Sequence, residues 1–175
     1  SGGGDSVGTW NFSDNGANVV TAGSILVADS SQPGNTDVTS MINLGQDNTI
    51  NVDTFTVGGR KSRGEVTIDA GGTLTLRGSG GAGTRADLFI ADNNINTGTH
   101  TVGTFDLSGG TFNATLDEVF IARHADGSGS ATGSLTMDAG SFDATALGIA
   151  GGGNVTGTMT VNGGTVKIGS GSGVM

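Results

Sequence analysis

Residues 133–151, GSLTMDAGSFDATALGIAG, alternate apolar with small or polar positions in three short runs separated by glycine or alanine breaks. Period-two alternation sends successive side chains to opposite faces of an extended chain. It predicts three strands and argues against helix. The same arrangement precedes this stretch in GTFDLSGGTFNATLDEVFIAR (103–123) and follows it in GTMTVNGGTVKIGSGSG (157–173).

Laid over one another, the repeats share three segments. The first reads EVTID (65–69), TFDLS (104–108), SLTMD (134–138) and TMTVN (158–162), with Val66, Phe105, Leu135 and Met159 facing inward. The second follows a Gly-Gly or Ala-Gly turn and reads TLTL (73–76), TFNA (111–114), SFDA (141–144) and TVKI (165–168). The third reads DLFIAD (87–92), EVFIAR (118–123) and ALGIAG (146–151). SMINL (40–44), TINV (49–52) and TFTVGG (54–59) add one unit toward the N-terminus. TWNFS (9–13) and SILVAD (24–29), with a vague middle, add another. A small residue closes every third segment, namely Ala28, Gly58, Ala91, Ala122 and Ala150, which predicts a tight bend there.

Three strands per unit with few hairpin signals predict an all-β chain. The specific expectation is a parallel β-helix (β-solenoid) of about six three-stranded coils with uncapped ends. It forms a single domain over 1–175, with a flexible N-terminal arm at 1–8, irregular coils over 9–63 and regular coils over 64–175. One coil's apolar set is too small to offset the conformational entropy of ordering it, so coils must stack.

Composition narrows the class. Glycine supplies 35 of the 175 residues, yet only 13% are charged and the apolar residues are regularly placed, which argues against disorder. The net charge of −9 excludes the basic stripe of a nucleic-acid binder. No apolar run reaches the length of a membrane-spanning helix. Cysteine is absent, which is compatible with export.

The glycine-cornered GT-Φ-x-Φ-x-GG units resemble bacterial surface β-helix repeat proteins, such as autotransporter passenger domains and surface-anchored β-solenoids. The resemblance implies a right-handed parallel β-helix (β-solenoid), extracellular and in an adhesive or scaffolding role, and carries over no catalytic residue.

Candidate chemistry is sparse. The longest connections gather between third and first segments, and four of the seven basic residues lie there: Arg60, Lys61, Arg63 and Arg123. They form a candidate docking edge for carboxylates or an acidic cell-surface glycan. Outward positions of the third segment align Phe89 with Phe120, and such stacked aromatics call for a cover from a partner, a flat ligand or the loop at 77–87. His100 and His124 lack a third ligand at metal spacing. Asp117 and Glu118 are adjacent and so face opposite ways, which spoils a paired-carboxylate site. The outward first-segment rank of Asn11, Asn43, Thr67, Asp106, Thr136 and Thr160 has too little acid for catalysis and too mixed a composition for an ice-binding array. Asp92, Asp126 and Asp138 read as turn caps rather than a calcium site.

The sequence therefore points to a non-enzymatic structural subunit of an extracellular fibre, sheath or surface stalk, self-associating end to end into a homopolymer without a cofactor. Trp10 and Phe12 at one end, and Val174 and Met175 at the other, are the candidate subunit contacts, with Phe89 and Phe120 as a lateral one. The chain breaks off where a third segment is due, so the alternatives are a slice of a longer β-helix or open ends that meet. The rival reading is a monomeric adhesin or carbohydrate-binding segment of a larger surface protein. A polysaccharide-processing enzyme comes third.

Overall fold

The computed structural model describes residues 7–30, 38–93, 100–124 and 129–169. Among them there is no helix and there are 11 strands. In chain order they are β1 (Thr9–Asn11), β2 (Ala17–Ser30), β3 (Ser40–Leu44), β4 (Asp47–Arg60), β5 (Arg63–Ile68), β6 (Thr73–Arg77), β7 (Ala86–Asn93), β8 (His100–His124), β9 (Ser130–Gly151), β10 (Val155–Val161) and β11 (Thr165–Ile168). All ladder pairings are parallel and join into one sheet.

The arrangement corrects the expected β-helix of three-stranded coils. Four parallel strands close into a barrel: β4 pairs with β6 and with β7, and both of these pair with β8. The remaining strands lie outside that ring, β2 on β4, β5 on β8, β3 and β1 beyond β5, and β9 on β8 with β10 and β11 beyond it. The physical reason is that the predicted corners do not break the strands. β8 runs for 25 residues and β9 for 22, each through what read as three separate segments. β4 gives Asp47–Asn51 to β6 and Thr54–Gly59 to β7, and β8 gives Thr111–Ala114 and then Leu116–His124 to the same two strands, so the ladder closes on itself.

The bends lie where small residues were read. Ala28, Ala91, Ala122 and Ala150 have φ between 55° and 62°, and Gly58 has 72°. Any Cβ is strained in this left-handed region, alanine's included. A second constraint meets them from the next segment, where Gly64, Gly103, Gly133 and Gly157 stand in register. A Cβ at Gly103 would press into the Val57 carbonyl and the Ala91 amide. Gly64, Gly133 and Gly157 close in the same way on Gly58, Ala122 and Ala150, whereas Ser40 holds that register position toward the N-terminal end.

Inward side chains form one core. Phe105 packs on Phe55 at 5.8 Å between ring centroids and on Phe112 at 5.5 Å, and Phe112 meets Phe142 at 6.2 Å. All four rings are fully buried. Here the structure shifts one alignment by two residues. TFNA and SFDA do not superpose, because a bulge between Leu107 and Thr111 sets Ala114 on Phe142 and Leu116 on Ala144. Large therefore meets small along the ladder, which fills the core without two phenyl groups competing for one place.

Polar positions are tied as well. Buried Asn48 donates to the Gly45 carbonyl (2.7 Å) and the Thr73 carbonyl (3.0 Å) and accepts from Asn18 (3.1 Å). Asp138 accepts from the Gly109 amide and the Asn162 side chain, both at 2.8 Å.

Candidate functional site

Among the described residues, four strands have a partner on one side only: β1 and β2 at one margin of the sheet, β10 and β11 at the other. An edge strand offers a row of unpaired N–H and C=O groups, and native proteins usually blunt it with charge, proline or cover. These margin strands carry only two charged residues, Asp29 on β2 and the exposed Lys167 on β11, and present large apolar side chains beside them. Among the described residues, the exposed large hydrophobic side chains are Val7, Trp10, Val19 and Leu26 at the first margin and Ile149, Val161, Val166 and Ile168 at the second. Ile149 lies on Ala146–Gly151 of β9, a stretch that β10 and β11 leave uncovered. Away from the margins, no large apolar side chain among the described residues is exposed.

The first margin also carries a cavity. It has a volume of about 510 Å³ and is lined by Trp10, Val20, Ala22, Ile25, Met41 and Ile42 among others. Trp10 stands edge-on to Phe12 at 4.7 Å. Phe12 is buried while Trp10 is 46% exposed, so of the two expected contacts only Trp10 is available. Val174 and Met175 lie outside the described residues.

The aromatic pair is where the pattern put it. Leu26, Thr56, Phe89, Phe120 and Gly148 are successive ladder partners, and the Phe89 and Phe120 centroids are 6.4 Å apart. Their cover comes from within the chain. The Arg123 guanidinium lies 4.8 Å from one ring centroid and 4.5 Å from the other. The same group forms two parallel bonds to Asp92, at 2.9 and 2.8 Å. Asp92, by hydrogen bond and charge, holds Arg123 above the usual arginine range against the opposing effect of burial. The loop at 77–87 goes elsewhere: Arg85 reaches the Leu116 carbonyl (2.6 Å) and Asp143 (3.0 Å).

The basic edge is likewise engaged. Arg60 makes a two-point contact with Asp29, one ladder step away. Lys61 is nearly buried, its amide bonded to the Ser30 carbonyl at 3.2 Å. Arg63 begins β5, and its charge adds to burial in lowering the pKa of His100, whose Nδ1 meets Ser130 Oγ at 2.5 Å. His124 is buried, and among the described residues neither its Nε2 nor the hydroxyl of Thr101 has a hydrogen-bond partner. Among the described residues no three His, Cys, Asp or Glu side chains gather as metal ligands. Asp126 lies outside them.

The outward first-segment rank is in register from Asn11 through Asn43, Thr67, Asp106 and Thr136 to Thr160. Thr67 Oγ1 donates to Asn43 Oδ1 at 3.0 Å, and Asn43 Nδ2 donates to Asn11 Oδ1 at 2.6 Å. Sequence reading saw the rank but not its direction, which depends on rotamers that spacing does not specify. The cavity was missed too, because it arises from the gap between β1 and β2 rather than from any residue type.

No helix among the described residues is long and apolar enough to cross a membrane. No protein-family model matches the chain, and comparison with curated proteins and with solved structures gives no match either.

Proposed function

We propose that this chain is a non-enzymatic structural subunit that assembles end to end, through its two open sheet margins, into an extracellular fibre, sheath or surface stalk. One observation carries the reading: the exposed large apolar side chains of the described residues collect on those two margins. Opposite margins of one parallel sheet are complementary, since each presents the backbone pattern the other would pair with. A contact between different surfaces of identical subunits that does not close generates a filament. Assignment outside the cell rests on the resemblance to bacterial surface repeat proteins and on the acidic, cysteine-free composition.

The rival reading, an adhesin that grips acidic glycans with its basic edge, has less support because Arg60 and Arg123 already hold Asp29 and Asp92.

Electron microscopy and sedimentation of the purified 175-residue chain test the proposal. Elongated particles that lengthen with concentration are expected, and Val161→Lys or Ile168→Lys should reduce them to single subunits with an unchanged circular dichroism spectrum. Monomers at all concentrations would remove the proposal.

A further inference from the structure

Resting on that assembly reading, we infer that a second copy of this chain docks in one register. β10 of one copy lies parallel to β1 of the next, with Thr158 beside Thr9, Met159 beside Trp10 and Thr160 beside Asn11. β11 then lies along the first half of β2, with Val166 beside Val20.

Three independent features specify this register. Inside the chain, the ranks run Trp10, Ile42, Val66, Phe105, Leu135, Met159 and Thr9, Met41, Glu65, Thr104, Ser134, Thr158 without a slip. Continuing them by one step puts Met159 of one copy against Trp10 of the next. The cavity of about 510 Å³ opens at that margin between Trp10, Val20, Ile25 and Met41. The half-buried Met159 and the exposed Val166 are the inward side chains that would face it. Finally, the Thr67–Asn43–Asn11 bonds all donate in one direction along the rank. Asn11 Nδ2 has no partner among the described residues, and Thr160, ending the rank at the other margin, offers a hydroxyl acceptor. A slip of one residue would set the outward Thr158 or Thr160 beside Trp10 and Met159 beside an outward residue of β1. The partner is a second copy rather than another protein because one pattern serves both sides of the contact. The open Ala146–Gly151 stretch lies one strand deeper than β10 and takes no part.

Because the chain has no cysteine, disulfide trapping reads the register directly. Neighbouring strands lie about 4.8 Å apart, inside the span a disulfide bridges. A two-residue offset widens the separation to about 8 Å, outside it. Asn11→Cys/Thr160→Cys and Thr9→Cys/Thr158→Cys, oxidised under assembly conditions, should each give a ladder of covalent multimers on a denaturing gel. Thr9→Cys/Thr160→Cys should not, and the single variants should stay monomeric. These positions are exposed, and two in-register pairs guard against one substitution harming the fold. Filaments with no ladder from either in-register pair, or with a ladder from the offset pair instead, overturn the register while leaving end-to-end assembly intact. Dimers from Thr9→Cys alone mean like margins meet, and overturn the polarity. Absence of any assembly by the unsubstituted chain removes the parent reading along with this one.

Discussion

At single positions, the fold depends on residues chosen for what they lack. Ala91 and Ala122 occupy left-handed backbone at the bends and are fully buried, so they bear the Cβ strain of that region and a larger residue would add overlap to it. Gly103 faces the opposite problem, a backbone approach with no room for a methyl group. Gly103→Ala is expected to cost about 1–3 kcal/mol in urea unfolding, with a core that still forms. The left-handed alanines were visible in the sequence as a recurring small residue. Sequence alone could not separate a conformational demand from a packing one.

His100 yields a prediction with a definite sign. Burial, and then the Arg63 charge, lower its pKa below the usual 6.5. The unfolded chain therefore binds a proton at a higher pH than the folded one. Stability from this group is complete above about 6.5 and falls as pH drops from there toward the folded value. Unfolding midpoints measured between about pH 5 and 7.5 should show that decline, and His100→Gln should flatten it. Asp138 has the ordinary carboxylate sense: its bonds from Asn162 and Gly109 lower its pKa, so its contribution is present at neutral pH and lost only in strong acid.

At the level of strands, alternation predicted the segments and most of their partners. The pairing of EVTID, TFDLS, SLTMD and TMTVN is residue for residue as read, because inward side chains leave no alternative that keeps Phe105 and Leu135 dry. Two things were not legible. The first is continuity: a left-handed alanine turns the chain without interrupting the ladder, so β8 and β9 are single long strands and the ring β4–β6–β8–β7 closes. The second is the bulge after Leu107, which depends on whether Phe112 shares a layer with Phe142 or sits beside it. The bulge makes Phe112 the hinge of the core, touching Phe105 and Phe142 at once. Phe112→Ala should cost about 3–5 kcal/mol, the usual range for emptying a buried aromatic site. Alanine at neighbouring Asn113, which points outward, should cost far less.

Over the whole molecule, charge and hydrophobicity are segregated. Sixteen acids against seven basic residues give the molecule a net negative charge, while the margin strands carry only Asp29 and Lys167 among their charged residues. The arrangement tolerates contact at the ends and discourages it elsewhere. Assembly through such margins rests on buried apolar area and backbone bonds rather than ion pairs, so it should persist, or strengthen, at about 1 M sodium chloride, where charge–charge contacts are screened within about 3 Å. Sedimentation at low and high salt checks this, and dissolution at high salt would point instead to the arginine edge.

The parallel ladder also determines how the molecule would respond to load. Partners are separated by as few as 24 residues, as between Met41 and Glu65, and as many as 39, as between Glu65 and Thr104. No disulfide shortens these intervals. Tension applied through the two ends would strip strands from the outside inward, each release paying out roughly 80–130 Å of chain. A fibre of such subunits would lengthen in discrete steps under strain and shorten again as each strand finds its neighbour.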